Sequence, residues 1–192
     1  MDPPRLPWQV IQRVIDHSGG HANTLRSLSL ACHRLRPHSC CVMFARVRFK
    51  GRDHVFAFLD FLQDNPHLKP VVRSIVVRPT DLAPSPLLRI LPSLSDIEFA
   101  PHLAEPPRSS SRNIFPALHQ SSLTCFRQFG THINTLRLSR LSFATYLSLA
   151  RVLLTFTSIT HLYCSRVEIA TAGNRANLNV LKRRLQYLSK CD

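Results

Sequence analysis

The first quarter of the chain contains three short apolar patterns of helical period, separated by residues that end helices. The first runs from Leu6 to His17, where Pro7 suits the first helical turn because its missing N–H is not needed there. Gly19 and Gly20 end this helix after roughly three turns. One face is predicted to carry Val10, Ile11, Val14 and Ile15, and the other Gln9, Gln12, Arg13 and Asp16.

The next two patterns predict a second and a third helix, followed by a strand. The second helix runs from Thr24 to about Leu35, with Asn23 as its N-cap. Pro37 opens the third helix. Apolar and basic residues then alternate from Arg46 to Lys50 with the period of a strand. The apolar stripe of the second helix consists of Leu25, Leu28, Cys32 and Leu35.

Three helices of this length form only a small core. Fully burying one large aliphatic side chain contributes about 1.5–3 kcal/mol, so a half-solvated first helix would forfeit much of the stability available to it. Part of its apolar face is expected to pack on the second and third helices. We expect the rest of that face to dock on a partner.

A longer region begins at Asp53, which is predicted to cap a fourth helix from His54 to Asp64. The pair Asn65-Pro66 ends that helix. Its predicted inward residues are Val55, Phe58, Leu59 and Leu62.

A weak internal repeat follows the fourth helix. The sequence VRSIVV, residues 72–77, is similar to INTLRL, residues 133–138. The sequence LRILPSLSDIEF, residues 88–99, is similar to the stretch that ends at Cys164. Each unit combines a short alternating strand, a helical apolar stretch and another short strand.

The same repeat is visible within the second half, where Ile133 and Leu136 recur 26 positions later as Ile159 and Leu162. The pattern predicts a short αβ solenoid of the leucine-rich-repeat type, without the asparagine ladder of a regular one. Its predicted inward positions include Ile75, Val77, Leu136, Leu138 and Leu162.

Two segments depart from the repeat. Residues 100–113 are rich in Pro and Ser and are predicted to form a surface loop. After Glu168 the pattern is lost, and the last segment is predicted to form a basic amphipathic helix, either as a cap on the last repeat or as a tail of a truncated chain. The apolar positions of this helix are Leu178, Leu181, Leu185 and Leu188.

The predicted fold class is therefore α+β. A helical module occupies residues 5–50, and the repeat region occupies residues 53–165 with its loop near 100–113. The tail, helical in part, occupies residues 166–192.

Composition places the chain among folded proteins. Its 192 residues suffice for one substantial core, or for a small module joined to a larger one, and 44% of them are hydrophobic. The first five residues lack the apolar core of a signal peptide, and no stretch approaches the ~18–20 apolar residues of a membrane span. We therefore expect a soluble protein of the cytoplasm or nucleus that does not contact membranes.

The cysteines indicate free thiols. They form no CxxC pair, and four of them lie in hydrophobic runs, which favours buried thiols over a disulfide framework. The cluster from Cys32 to Cys41 also contains His33 and His38, but adjacent cysteines point in different directions, so no metal is predicted. The six cysteines are Cys32, Cys40, Cys41, Cys125, Cys164 and Cys191.

The sequence supplies little for catalysis. It contains no phosphate-binding Walker loop, no GxSxG nucleophile motif and no HExxH zinc motif. Catalysis by a pair of carboxylates is not favoured, because the chain has only three glutamates, Glu98, Glu105 and Glu168. We expect neither enzymatic activity nor a cofactor.

The net charge of +14, from 25 basic and 11 acidic residues, raises nucleic-acid binding as an alternative. The basic residues are densest between Arg26 and Arg52, but most arginines lie singly between apolar residues. The aromatic pattern of an RNA-binding sheet is also missing. Attraction to an acidic protein surface is therefore favoured over nucleic acid.

Three segments in order resemble the F-box family. These are LPWQVIQRVIDH (residues 6–17), TLRSLSLACHRLRP (24–37) and MFARVRF (43–49). The F-box pattern opens with Leu-Pro, an acidic residue and alternating aliphatics, and continues with a helix of the form Leu-x-x-Leu-x-Leu-Val-Cys-basic-x-Trp. The ending VIDH and the exit strand are similar to F-box proteins of large fungal families, many of which carry irregular leucine-rich repeats. Two departures are Gln9 for the acidic residue and Leu35 for the aromatic one.

The resemblance implies a substrate-recognition adaptor of a Skp–cullin–F-box type ubiquitin ligase. The N-terminal module would bind an acidic Skp-type adaptor and, through it, a cullin, whereas the repeats would bind an unidentified protein target. The residues that the resemblance assigns to adaptor binding are Leu6, Pro7, Gln9, Val10, Ile11, Leu25, Leu28, Cys32 and Leu35.

The residues between the inward positions of the repeats are candidates for target binding. If they share one concave face, that face would favour an acidic ligand; a solvated surface without a binding role is the alternative. The candidate residues are Arg73, Arg137, Arg140 and His161.

Overall fold

The computed structural model describes residues 6–78, 85–101, 115 and 120–169. The chain forms two compact units, Met1–Val47 and Arg48–Asp192. Most of the predicted loop, and the predicted tail from residue 170 with its leucines and Cys191, lie outside the described residues.

The first unit consists of three helices of ten residues each: α1 (Trp8–His17), α2 (Ala22–Ala31) and α3 (Arg36–Ala45). A single 3-10 turn, Ser18–Gly20, joins α1 to α2. Both α1 and α2 pack against α3. Among the described residues of this unit, from Leu6 onward, the fully buried apolar side chains are Ile15 and Leu25, so the core between the helices is small.

Helix α2 differs from its prediction at both ends. It begins after His21, without a side-chain cap, and Asn23 lies inside it. It ends four residues before the predicted Leu35, because Cys32 is extended and its carbonyl accepts hydrogen bonds from the amides that lead into α3. Pro37 explains the break, since a continuous helix would place its ring against the preceding turn and would lack one N–H.

The second unit begins within a short strand, β1 (Arg46–Arg48), at the edge of a five-stranded sheet. Helix α4 (Arg52–Asp64) follows, capped by Gly51 rather than by the predicted Asp53, which lies in the first turn. Carboxylates there interact favourably with the helix dipole. The helix ends at Asn65, as the sequence predicts, and the amide groups of Asn65 donate to the Phe61 carbonyl.

The later strands of the five-stranded sheet alternate with helices. The remaining elements are a 3-10 segment (Pro66–Val71), β2 (Ser74–Val77), α5 (Ser85–Ile90), β3 (Asp96–Phe99), α6 (Gln120–Phe129), β4 (Thr135–Ser139), β5 (Ser142–Phe143), α7 (Tyr146–Thr155), β6 (His161–Ser165) and β7 (Glu168–Ile169).

The sheet order is β1-β2-β3-β4-β6, and the last four strands are parallel to one another. Strands β5 and β7 form a second, two-stranded parallel sheet. The chain therefore has mixed helix and strand structure with a parallel sheet, which agrees with the predicted α+β class.

The register of the sheet matches the sequence repeat. Ile75, Ile97, Leu136 and Leu162 are consecutive partners across β2, β3, β4 and β6. The segments VRSIVV and INTLRL thus contain equivalent strands, and β4 and β6 pair at an offset of 26 residues.

One side of the sheet forms the core of the second unit. Side chains of successive strand residues point to opposite faces, and the inward ones on β2, β3 and β4 are buried. On β6, by contrast, Leu162 is half-buried and Cys164 is exposed. Aromatic contacts extend this core: Phe115 packs edge-on against Phe99 and stacks on Phe143.

The cysteines are only partly as predicted. The five described ones are free thiols. The prediction that they are buried is wrong for Cys32, Cys41 and Cys164, which are exposed; Cys40 and Cys125 are half-buried. Cys32 is exposed because α2 ends at Ala31, so Cys32 does not belong to the predicted apolar stripe of that helix.

The close packing at the end of α6 requires a glycine. Gly130 is buried, and its amide donates to the Phe126 carbonyl. A Cβ added at this position would overlap that carbonyl oxygen and would lie 3.3 Å from Cδ1 of Phe156. Phe156 in turn stacks on Phe126 with ring centroids 5.3 Å apart, so little space is left to relieve the overlap.

Gly130→Ala is therefore expected to lower the free energy of unfolding of the second unit by about 1–3 kcal/mol, the usual range for overpacking. Chemical denaturation followed by circular dichroism measures this change. Gly51→Ser is the matched control, since a Cβ at Gly51 meets nothing within 4 Å and serine suits an N-cap. Equal stability of Gly130→Ala and the control would show that the α6 terminus is not close-packed.

Candidate binding surfaces

Helix α1 presents apolar side chains on two sides. Ile15 is buried and Ile11 is half-buried, so these two face the core of the first unit. Leu6, Val10 and Val14 are 67%, 42% and 55% exposed. Val10 and Val14 lie four residues apart, which places them along one side of the helix, and Leu6 precedes the first helical residue, Trp8, by two positions. We call these three residues the α1 stripe.

Two contacts hold α1 in place and leave the α1 stripe uncovered. The Arg34 guanidinium lies 4.6 Å from the ring centroid of Trp8. Near the other end of the helix, Asp16 Oδ1 is 2.9 Å from Nε2 of His38 on α3. Neither contact involves a residue of the stripe.

The residues predicted to bind an adaptor fall into three groups by exposure. Ile11, Leu28 and Leu35 are half-buried. Leu25 is only 1% exposed, so it supports the core of the unit and offers no surface to a partner. The exposed group is Leu6, Pro7, Gln9, Val10 and Cys32.

Sequence reasoning left two exposed apolar residues out of the predicted site. Val14 completes the α1 stripe, and its spacing of four residues from Val10 was sufficient to include it. Leu30 on α2 is 77% exposed. The predicted face of Val10, Ile11, Val14 and Ile15 is in fact divided, with Ile11 and Ile15 turned inward and the two valines outward.

The second unit exposes the polar face of its parallel sheet. Asp96 and Glu98 on β3 lie beside Thr135 and Arg137 on β4. Arg137 in turn lies beside Tyr163 on β6. The face therefore carries acidic, basic and aromatic side chains and is not uniformly basic.

Arg137 connects three strands across this face. Its Nε donates to Oδ2 of Asp96 at 2.9 Å, and its guanidinium lies 4.4 Å from the ring centroid of Tyr163. The hydrogen bond to Asp96 raises the pKa of Arg137 above its ordinary value. Arg137 is thus engaged in the fold, which leaves only part of its guanidinium for a ligand.

The four residues predicted to bind a target do not form one cluster. Arg137 and His161 share the polar face, on adjacent strands. Arg73 precedes β2, at the amino-terminal edge of the sheet, whereas Arg140 follows β4 at the carboxyl-terminal edge. Because these strands are parallel, Arg73 and Arg140 lie at opposite edges.

The carboxyl-terminal edge contains a feature that the sequence reasoning missed. Arg166 follows β6 as Arg140 follows β4, and both have a left-handed backbone, with φ of 54° and 55°. The signal was present in the sequence, since the pair Ser-Arg recurs at the 26-residue offset.

The described residues contain no group of three or more His, Cys, Asp or Glu side chains that could hold a metal ion. Among the helices that the structure describes, none is long and apolar enough to cross a membrane.

Comparisons with known proteins give no relative of this chain. No protein-family model, curated protein or solved structure matches it.

The Asp96–Arg137 contact predicts different losses of stability for the removal of its two side chains. The Asp96 side chain is 18% exposed and that of Arg137 is 38% exposed, and Asp96 Oδ1 is buried without a hydrogen-bond partner. Arg137→Ala would leave a largely buried carboxylate unpaired, and we expect it to lower the free energy of unfolding by about 1–3 kcal/mol.

Asp96→Ala is expected to cost less, about 1 kcal/mol or below, because the guanidinium keeps solvent and Tyr163 as partners. Both variants are compared by urea denaturation with Arg127→Ala, an exposed arginine on α6. A larger loss for Asp96→Ala than for Arg137→Ala would contradict this account of the contact.

Proposed function

We propose that this chain is an F-box-type adaptor of a ubiquitin ligase, whose first unit binds a Skp-type adaptor and whose second unit binds a protein target. The observation that carries the proposal is the α1 stripe. It is an exposed apolar surface on the helix that the F-box resemblance assigns to adaptor binding.

The energetics of the first unit support a partner on this surface. Burying side chains of this kind contributes about 1.5–3 kcal/mol each, and the unit itself leaves Leu6, Val10 and Val14 in contact with water. Contiguous exposed apolar residues often mark protein interaction sites. A partner that covered the stripe would add the burial that the small core does not supply.

Charge also suits an acidic partner. Between Leu6 and Val47 the only acidic residue is Asp16, which is paired with His38. A Skp-type adaptor is acidic, so it would be attracted to this unit and would approach it more quickly at low salt. The basic residues of the same segment are Arg13, Arg26, Arg34, Arg36 and Arg46.

The second unit is proposed to be the target-binding part, as an irregular leucine-rich-repeat-like solenoid. Four parallel strands in chain order, separated by helices, support this assignment. The order of the helices agrees with it, because α5 packs on α6 and α6 packs on α7.

Nucleic-acid binding is the second candidate, and the net charge of +14 favours it. Counterion release would make such binding steeply salt-dependent. A fluorescence titration with single- and double-stranded oligonucleotides between 50 and 200 mM salt tests this candidate. The absence of binding at low salt would eliminate it.

Adaptor binding is tested by isothermal titration calorimetry of the full chain with a purified Skp-type adaptor. We expect the double variant Val10→Ser/Val14→Ser to bind at least about tenfold more weakly, which corresponds to about 1.4 kcal/mol of lost apolar contact. Because both valines are exposed, the helical content should not change. Leu154→Ser is the matched control, since Leu154 is an exposed leucine in the second unit.

Binding by the wild-type chain and the control, with loss in the α1 variant, supports the proposal. A folded wild-type chain that binds no adaptor at micromolar concentration would reject it. Equal binding by all three proteins would reject the α1 stripe as the interface.

A further inference from the structure

The two halves of the 26-residue repeat place a pair of arginines side by side. Ser139 and Ser165 are partners in the ladder of β4 and β6, and an arginine follows each of them. The amide of Arg140 donates to the carbonyl of Ser165 at 2.7 Å, which fixes the two turns against each other. Neighbouring strands are about 4.8 Å apart, so the two arginine backbones lie within one strand spacing.

The backbones of the two arginines are alike. The φ angles of Arg140 and Arg166 are 55° and 54°, and each arginine directly follows one of the paired residues Ser139 and Ser165. Residues other than glycine rarely adopt this left-handed conformation, which is unfavourable for a side chain with a Cβ. Glycine or asparagine would satisfy the turn with less strain.

The arrangement is also electrostatically unfavourable by itself, because like charges on neighbouring strands repel. Both arginines are exposed, and within the described part of the chain neither guanidinium has a hydrogen bond, ion pair or ring contact. An anion placed between them would reverse this repulsion. Guanidinium groups are suited to that role, since each can donate two parallel hydrogen bonds to a phosphate or carboxylate.

We propose that Arg140 and Arg166 form an anion clamp that binds one oxyanion group, a phosphate or a carboxylate, on a side chain of a protein target. The inference deepens the target-binding half of the proposed function. It rests on that function for assigning the oxyanion to a protein. It replaces the dispersed set of Arg73, Arg137, Arg140 and His161 with one local site.

The surroundings favour a single anion on a peptide over a nucleic-acid backbone. Glu168 follows Arg166 by two residues and is exposed, and Glu98 lies on the neighbouring polar face. A polyanion that extended beyond the two arginines would meet these carboxylates. A peptide with one phosphate or glutamate can place its charge between the guanidinium groups and avoid them.

Fluorescence anisotropy with three labelled decapeptide libraries tests the clamp on the full chain. The libraries have random neutral flanks and carry phosphoserine, glutamate or serine at the central position. We expect the phosphoserine library to bind at least about tenfold more tightly than the serine library, because it offers a double charge and three acceptor oxygens. The glutamate library distinguishes the two sources of the oxyanion, and preference for either acidic library over serine supports the clamp.

The variant Arg140→Gly/Arg166→Gly removes both guanidinium groups while its glycines accept the left-handed backbone. It should keep or raise the melting temperature and should lose the preference for the acidic libraries. Arg140→Lys/Arg166→Lys keeps the charge but cannot donate the two parallel hydrogen bonds of a guanidinium. It should bind the acidic libraries several-fold more weakly than wild type. Arg151→Ala, an exposed arginine on α7, is the charge control and should bind as wild type does.

Equal binding of the three libraries, absence of binding, or equal losses in Arg151→Ala and the double glycine variant would overturn the clamp. Tighter binding of a mixed-sequence oligonucleotide than of either acidic library would also overturn it, in favour of nucleic acid. These measurements contain no Skp-type adaptor. Failure of the clamp is therefore separate from failure of the adaptor titration.

Discussion

The second unit depends on the register of its parallel main-chain ladder. Once Ile75, Ile97 and Leu136 are aligned as hydrogen-bonded neighbours, alternation of side chains assigns each residue of β3 and β4 to the core or to the polar face. A shift by one residue would turn the whole buried row outward. The contact of Asp96 with Arg137 and the pairing of the two Ser-Arg turns both follow from this register.

The first unit is governed by a different constraint, the small size of its core. Ten-residue helices bury few side chains, and α1 turns Ile11 and Ile15 inward while Val10 and Val14 remain in solvent. Apolar surface on a small unit is costly in water unless it is covered. The same surface that limits stability in isolation is therefore available for binding, which connects the packing of this unit to its proposed role.

Local periodicity was sufficient to predict much of this structure. The period of two located β2, β4 and β6, because it depends on side chains close together in sequence. The similarity of VRSIVV to INTLRL predicted that β2 and β4 are equivalent, and the recurrence of Ile133 and Leu136 after 26 residues predicted the same of β4 and β6. The first residues of α2 and α4 were less predictable, since neither N-cap uses a side chain. The Asp96–Arg137 pair joins residues 41 positions apart, so only the fold brings them together.

We propose that the first unit binds a Skp-type adaptor through α1. Hydrogen–deuterium exchange of the full chain, with and without the adaptor, tests it most directly. We expect the adaptor to slow exchange in peptides that cover residues 6–17 and to leave exchange in β2, β3 and β4 unchanged. Slowed exchange confined to the second unit, or unchanged exchange everywhere at saturating adaptor, would contradict it.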